Sequence, residues 1–384
     1  MGRKRGQGEG SIRKRSDGKW EARYSHGRNA EGKQIQKSLY GKTRKEVQEK
    51  LNTVLHSIDN NAYIEPSKIT VGEWLTIWLN DYKKITVKPT TFTNYRLRVE
   101  NYLKPELGKI VLKDLSSIQI QKMITKLTEK GLSPEFIRGI YNNLHAALKQ
   151  AIKDGLLIKN VADTATLPKY VKPHTEILTS DEQAKFIGVA KNHYLGELFI
   201  FDLGTGLRLG EILALSWNSV DFEKNTIVIS STLNVIKDFD DPEAKWHKAF
   251  GTPKTQSSNH KIPLIPSVKK ILENQISYQN NLKRELGEAF DNKHNLVFTT
   301  KTGNPLDPRN MQKVFHDILA KANIDKRKIH SLRHSFASRG LEQGIELKVM
   351  QELLGHSSIK MTADLYTHVL PEKKEEAIMK VKNL

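Results

Sequence analysis

Apolar and polar positions alternate in short stretches near the N-terminus, which is the pattern of strands with one buried face. A turn predicted at Asp17 and Gly18 separates the first two stretches. Strands are predicted over residues 11–15, 20–24 and 34–40. Thr43 followed by Glu46 is a capping-box pattern that predicts the start of a helix. The apolar stripe of this helix consists of Val47, Leu51, Val54, Leu55 and Ile58. A three-stranded sheet covered by one helix is therefore expected.

Helical patterns follow from residue 69 onward. Thr70 and Glu73 form a second capping box, and Ser133 with Pro134 supplies an N-cap and a first-turn proline. Further helices are predicted over residues 91–103 and 118–129, and the helix after Ser133 should end before Gly155. The stripe of the first helix consists of Val71, Trp74, Leu75, Trp78 and Tyr82. We interpret this stripe as helix core rather than as a surface for stacking bases.

Residues 161–178 show little periodicity and contain Pro168 and Pro173, as expected of a linker. A new helix is predicted to start at Thr179. The part after it mixes long helical patterns with strands, which are predicted over residues 226–229 and 261–265. An acidic cluster consists of Asp238, Asp240, Asp241 and Glu243. A solvated hairpin tip is the favoured interpretation of this cluster, and a cation site is the alternative.

The net charge of the chain indicates which class of molecule it binds. The 384 residues carry a formal net charge of +19, and residues 1–60 hold 15 Lys plus Arg against 7 Asp plus Glu. Such an excess favours a polyanionic partner, either nucleic acid or an anionic membrane surface, because neutralising phosphates releases condensed counterions. No apolar stretch approaches the length of a membrane span, and the first ten residues do not resemble a signal peptide, so a soluble cytoplasmic protein is expected. The chain has no cysteine, which excludes disulfides, thiolate metal sites and cysteine nucleophiles.

Six residues of the second half offer chemistry suited to a phosphodiester. They are Arg208, Lys254, His330, Arg333, His356 and Tyr366. The two arginines remain protonated and present planar forks that match phosphate oxygens, and a phenolic hydroxyl can act as a nucleophile. Gly204 and Gly206 predict a sharp turn before a helix that carries Arg208. Together these groups could cut DNA without a metal ion.

The sequence motifs around these residues resemble those of the tyrosine recombinase, or phage integrase, family. The matching segments are TGLRLGE, TPKTQSS, HSLRHS, LLGHSS and ADLYTHV, in the family's order. The resemblance assigns binding of the scissile phosphate to Arg208, His330, Arg333 and His356. It implies that Tyr366 attacks the phosphate to give a 3′-phosphotyrosine and that Lys254 protonates the leaving 5′ oxygen, while Glu211 supports the first arginine. It also implies that neither a cofactor nor a metal is required.

Some of these positions have structural interpretations that the sequence leaves open. Arg208 and Glu211 are three residues apart, a spacing at which the two types often form a surface salt bridge. His330 and His334 are spaced like metal ligands on a helix, but the arginine between them opposes a cation, and we expect His334 to be structural. The neighbouring lysines that could take the place of Lys254 are Lys245, Lys248 and Lys261.

The resemblance implies a multidomain, mainly α-helical fold. Residues 1–62 would form an arm-type DNA-binding domain, 69–160 a helical, SAM-like core-binding domain, 161–178 the linker, and 179–384 a mixed but mainly α-helical catalytic domain. A solubilising basic sheet without a partner is the alternative for the first domain. The catalytic domain should end in a tail helix, whose apolar stripe could dock on a neighbouring subunit or on its own domain. That stripe consists of Ala377, Ile378, Val381 and Leu384.

The expected function is that of an integrase that inserts and excises a mobile element. Its predicted partners are double-stranded DNA with core and arm attachment sites, a homotetramer formed on DNA, an excisionase and a DNA-bending host factor, with no membrane. A bacterial cytoplasmic location with association to the nucleoid is expected. Two alternatives remain open: a type IB topoisomerase-like strand transferase, and a non-catalytic DNA-binding protein on a decayed recombinase fold.

Overall fold

The computed structural model describes residues 10–28, 34–59, 69–171, 176–239, 246–252 and 260–366. The chain forms two compact units, Met1–Tyr170 and Val171–Leu384. The border between them falls inside the segment predicted to be a linker. Every helix in the described ranges is too short or too polar to span a lipid bilayer.

The N-terminal sheet and its helix have the predicted architecture. The strands are β1 Ser11–Lys14, β2 Trp20–Arg28 and β3 Gln34–Gly41, antiparallel in the order β1-β2-β3, and the helix is α1 Arg44–Asp59. Gly18 takes a positive φ of 82° in the first turn, a conformation that glycine adopts without strain. The hydroxyl of Thr43 accepts the N–H of Glu46 at 3.2 Å, whereas the Glu46 carboxylate reaches the N–H of Lys42 at 2.9 Å. Helix and sheet enclose a small core of Ala22, Tyr24, Val47 and Leu51.

The helical part of the first unit consists of α2 Val71–Ile77, α3 Pro89–Arg98, α4 Lys104–Leu107, α5 Ser117–Glu129 and α6 Pro134–Lys153. Both reciprocal bonds of the Thr70 and Glu73 capping box are present. Trp74 and Trp78 are buried, and the indole N–H of Trp74 donates to the carbonyl of Ala147 at 2.9 Å, so the interpretation as helix core is confirmed. The helix predicted over residues 91–103 begins earlier, because a proline fits its first turn, and its end is a π-helical turn, Val99–Leu103.

The helices of the second unit are α7 Ser180–Ala190, α8 Gly196–Thr205, α9 Leu209–Leu213, α10 Pro266–Leu286, α11 Pro308–Lys321, α12 Ser331–Glu342, α13 Leu347–Leu354 and α14 Ile359–Tyr366. Thr179 caps α7 through a complete capping box with Glu182. The main core of this unit includes the buried rings of Phe186, Phe199, Phe201 and Phe315. In this core α8 packs against both α10 and α12.

The strands of the second unit are β4 Val220–Asp221, β5 Thr226–Ile229, β6 Thr232–Lys237, β7 Trp246–Gly251 and β8 His260–Pro263. They form an antiparallel sheet in the order β4-β5-β8 and a β6-β7 hairpin. The strand predicted up to Ile265 ends at Pro263, because Ile265 already caps α10. In the acidic cluster Asp238 follows β6, and the other members, Asp240, Asp241 and Glu243, lie outside the described residues.

Candidate active site

The turn between α8 and α9 places the first predicted site residue. The buried helix α8 ends at Thr205, and Gly206 follows with a φ of +62°. A Cβ at Gly206 would lie 2.3 Å from Cδ1 of Phe336 on α12, so a larger residue would meet both strain and a clash. The turn after α8 therefore depends on glycine.

Arg208 occupies the N-cap position just before α9, whereas the sequence predicted it on the helix itself. The left-handed turn at Gly206 redirects the chain so that α9 begins only at Leu209. The backbone N–H of Arg208 donates to Oε2 of Glu211 at 3.0 Å, and its Nη1 donates to Oε1 at 2.7 Å. Its Nη2 donates to the carbonyl of Gly355 at 3.3 Å. The salt-bridge interpretation of Arg208 and its predicted binding of phosphate are compatible. Glu211 is buried in the ion pair, while 33% of the arginine side chain stays exposed.

Arg333 on α12 is almost completely buried, with 1% of its surface exposed. Its Nη1 donates to the carbonyl of Gly206 and its Nη2 to the carbonyl of Leu354, each at 2.7 Å. Burial, and after it the charge of Arg208, lowers the pKa of Arg333 to about 10, so the guanidinium remains protonated at neutral pH. The side chain thus connects the turn after α8 to the end of α13 and carries a fixed positive charge.

His356 follows α13, which ends in a left-handed turn at Gly355 with a φ of +59°. The ring is buried, and its Nδ1 lies 2.9 Å from the hydroxyl of Thr362 on α14. Burial, and after it the charges of Arg333 and Arg208, lowers the pKa of His356 to about 3. The imidazole is therefore neutral at pH 7, with Nε2 as the ring nitrogen that does not face Thr362.

His330 caps α12, and its ring packs edge to face on His334 with centroids 4.5 Å apart. His330 keeps exposed surface, yet desolvation, and after it the neighbouring His334 and the charge of Arg333, lowers its pKa to about 3. A neutral ring at this place can donate or accept a hydrogen bond.

Asp202 on α8 is a neighbour of the site that sequence reasoning missed. It is buried, and its Oδ1 has no hydrogen-bond partner among the described residues. Burial raises the pKa of Asp202 well above its ordinary value, Arg333 opposes the shift and Glu211 adds to it. The available signal was a single acid in the apolar stretch LFIFDLG.

The fold brings four of the six predicted residues together. Arg208 and Arg333 both bond to the chain at the end of α13, His356 follows directly, and the charge of each arginine affects both His330 and His356. Lys254 lies outside the described residues. Tyr366 is the last residue of α14, the helix whose Thr362 contacts His356, but its side chain lies outside the described part of the structure.

Comparisons with known proteins identify the family. Residues 176–373 match the phage integrase family, and residues 70–128 match a phage integrase N-terminal SAM-like domain. A XerC-like tyrosine recombinase of Caldanaerobacter subterraneus is 36% identical over 371 residues, which is 93% of this chain and 94% of that protein. The ICEBs1 integrase of Bacillus subtilis is 23% identical over 377 residues, 97% of this chain and 100% of that protein. The chain therefore belongs to the phage integrase family of tyrosine recombinases.

Solved structures show the same fold. The Tn1549 transposon integrase in complex with a circular intermediate DNA has a TM-score of 0.68 at 22% identity, covering 82% of this chain and 99% of that chain. A lambda integrase tetramer bound to a Holliday junction has a TM-score of 0.57 at 18% identity, covering 94% and 96%. The expected fold class, mainly α-helical with a small N-terminal sheet, is confirmed. The chain is an integrase-type recombinase, an enzyme that cuts and rejoins DNA at specific sites.

Proposed function

We propose that this recombinase uses its predicted residues in one phosphoryl-transfer site. The proposed catalytic residues are Arg208, Lys254, His330, Arg333, His356 and Tyr366. The observation that carries the proposal is the convergence of Arg208, Arg333 and His356 around the turn at Gly355. Phosphoryl transfer concentrates negative charge on non-bridging oxygens, and fixed cationic donors stabilise that charge without reorganising.

In the proposed cleavage step, the phenolic oxygen of Tyr366 attacks the scissile phosphorus. The bond between phosphorus and the 5′ oxygen breaks, which leaves a 3′-phosphotyrosine and a 5′ hydroxyl that takes its proton from Lys254. A neutral imidazole of His330 or His356 can accept the phenolic proton or donate its N–H to the phosphate. Rejoining reverses these steps with a 5′ hydroxyl of another end, and the phosphotyrosine conserves the bond energy, so no nucleotide is consumed.

Glu211 is proposed as a supporting residue rather than a catalytic one. It binds both the main chain and the side chain of Arg208 and is buried beneath them. An arginine held in this way loses little conformational entropy when it binds a phosphate, which is the advantage of preorganisation. The ion pair and the catalytic role of Arg208 therefore support each other.

The functions predicted for the separate domains are also part of the proposal. Residues 1–62 would bind arm sites, residues 69–160 would bind core sites, and residues 179–384 would cut, with a tail helix that docks within or between subunits. Recombination joins two duplexes, so four active sites in a homotetramer are proposed, assisted by an excisionase and a DNA-bending host factor. We place the enzyme in the bacterial cytoplasm, on the nucleoid when it is bound to DNA.

A recombination assay separates the proposal from its two alternatives. Purified full-length chain is incubated with paired attachment-site DNA and, separately, with a supercoiled plasmid that lacks attachment sites. We expect exchange of flanking DNA without added nucleotide and little relaxation of the plasmid. Relaxation without exchange would favour a type IB topoisomerase-like enzyme, and binding without either product would favour a decayed, non-catalytic fold.

A further inference from the structure

The face of the N-terminal sheet that points away from α1 carries an acid beneath arginines. On β2, Ala22 and Tyr24 face the helix and are buried in the small core, so Glu21 and Arg23 between them face the other side. Across the strands, Arg13 and Tyr40 both pair with Glu21, and Ser38 pairs with Arg23. These five residues share one patch of sheet.

Glu21 is the buried centre of this patch. Its side chain is 3% exposed, whereas those of Arg13 and Arg23 are 56% and 44% exposed. Arg13 bonds to Oε2 of Glu21 through Nε at 2.7 Å and Nη2 at 2.6 Å. Arg23 bonds to Oε1 through Nε at 3.1 Å, and the hydroxyl of Ser38 donates to the same oxygen at 2.7 Å. The hydrogen bond from Ser38, followed by those from Arg13 and Arg23, lowers the pKa of Glu21 to about 2.

One buried carboxylate thus orients two exposed guanidinium groups. Among the described residues, Arg13 directs Nε and Nη2 at Glu21 and leaves Nη1 without a partner, while Arg23 directs only Nε at Glu21. Arg15 adds a third guanidinium 5.3 Å above the exposed ring of Tyr40. The patch keeps an excess of positive charge, and its outward groups are hydrogen-bond donors in fixed directions. An anion bound only by charge would not need this alignment.

We propose that Glu21 is a positioning residue that sets Arg13 and Arg23 to read guanine in the major groove. This inference rests on the proposed role of the first domain in binding arm DNA. Arginine recognises O6 and N7 of guanine with paired donors, and the major groove is wide enough for a two-stranded ribbon. The patch centres on the middle strand β2, and its two arginines stand on the adjacent strands β1 and β2. A carboxylate is also better tolerated near base edges than beside a phosphate, which it would repel.

The test begins with selection of duplexes from a randomised library. Sequences enriched by the full chain but not by a chain lacking residues 1–60 define the arm site. Affinity is then measured for this duplex and for copies in which one guanine at a time is replaced by 7-deazaguanine, which lacks the N7 acceptor. We expect one or two replacements to weaken wild-type binding roughly 10- to 100-fold.

The variants decide whether Glu21 acts as inferred. Glu21→Gln should weaken binding to the unmodified duplex and erase the effect of 7-deazaguanine, with an unchanged salt dependence. Arg23→Lys keeps the charge at an exposed position and should erase the effect of 7-deazaguanine at the guanine that Arg23 contacts. Glu273→Gln is the matched control, because it removes a carboxylate from an exposed ion pair with Lys270 on α10, in the second unit.

Two results would overturn the inference. If full-length and truncated chains select the same sequences, the arm-binding role fails and the inference fails with it. If they select different sequences but Glu21→Gln and Arg23→Lys still respond to 7-deazaguanine as the wild type does, the inference alone is wrong. Loss of affinity with a shallower salt dependence and no change in guanine discrimination would show phosphate contacts instead, and would also overturn it.

Discussion

Arg333 donates a 2.7 Å hydrogen bond to the carbonyl oxygen of Gly206, a residue 127 positions earlier in the chain. The bond connects α12 to the turn after α8, and the same guanidinium also binds the carbonyl of Leu354. Gly206 in turn donates its N–H to the carbonyl of Asp202 at 2.7 Å. The position of a proposed catalytic charge therefore depends on a backbone conformation elsewhere in the unit.

Substitution of Gly206 tests this dependence. Gly206→Ala should lower stability by about 2–5 kcal/mol, since alanine is strained at positive φ and its Cβ would clash with Phe336. Thermal unfolding measures the loss, and DNA cleavage should fall as well because the anchor of Arg333 moves. The control is Gly344→Ala, which has a φ of +92° but no atom within 4 Å of the new Cβ. Equal effects of the two variants on cleavage would contradict the special role of the Gly206 turn.

Replacement of Arg208 separates binding from catalysis. Arg208→Lys keeps the charge but cannot hold Glu211 and Gly355 with one planar fork. We expect DNA affinity to change little and single-turnover cleavage to slow roughly 10²- to 10³-fold. The control is Arg284→Lys at an exposed position of α10. A cleavage rate equal to that of the wild type would remove Arg208 from the proposed set.

The lowered pKa of His356 predicts a specific dependence of stability on pH. The unfolded residue titrates near 6.5 and the folded one at about 3, so its stabilising contribution is complete above pH 6.5 and declines as the pH falls toward 3. At pH 5 the loss amounts to roughly 2 kcal/mol relative to pH 7.5. His356→Asn removes this titration, so its melting temperature should fall less than that of the wild type over the same range.

Other groups near the site also make stability depend on pH, and the comparison with His356→Asn is designed to cancel their contributions. His330 shifts stability in the same direction as His356, whereas Asp202, whose pKa is raised, shifts it in the opposite direction. Both are present in the wild type and in His356→Asn, so the difference between the two curves reports on His356. Parallel curves from pH 7.5 to 5 would show that the ring is not held neutral.

Deletion of residues 1–60 tests the separate role of the first domain. The sheet and α1 enclose their own core, so the remaining chain should stay folded. We expect cleavage of a core site to persist while integration and excision of complete attachment sites fall. The measurement is a comparison of suicide-substrate cleavage with product formation in a full recombination assay. Undiminished recombination would refute arm-site binding.

Local sequence signals predicted much of the fold. The turn at Asp17 and Gly18 and the caps at Thr70, Ser133 and Thr179 lie where the patterns placed them, because each depends on neighbours within a few residues. The strands β6 and β7 were not predicted, although the acidic cluster that follows β6 was interpreted as a hairpin tip. The second of these strands is largely exposed and lacks a regular alternation of apolar positions.

The site was less predictable from the residues alone. The motifs shared with the family identified Arg208 and Arg333. Their hydrogen bonds to the carbonyls of Gly355, Gly206 and Leu354 span 21 to 147 residues, so these bonds leave no local sequence pattern. The start of α9 after Arg208, rather than before it, follows from a turn whose geometry depends on distant packing. The buried Asp202 was visible only as an acid in an apolar helix.

Identification of the residue that joins to DNA tests the central claim most directly. The full-length chain is incubated with nicked suicide DNA carrying its attachment site, and the covalently linked peptide is mapped by mass spectrometry. We predict a 3′-phosphate linked to Tyr366, loss of the covalent complex in Tyr366→Phe with DNA binding retained, and an unchanged complex in Tyr194→Phe, a control at an exposed tyrosine of the same unit. Covalent capture through another tyrosine, or a complex that persists in Tyr366→Phe, would contradict the account.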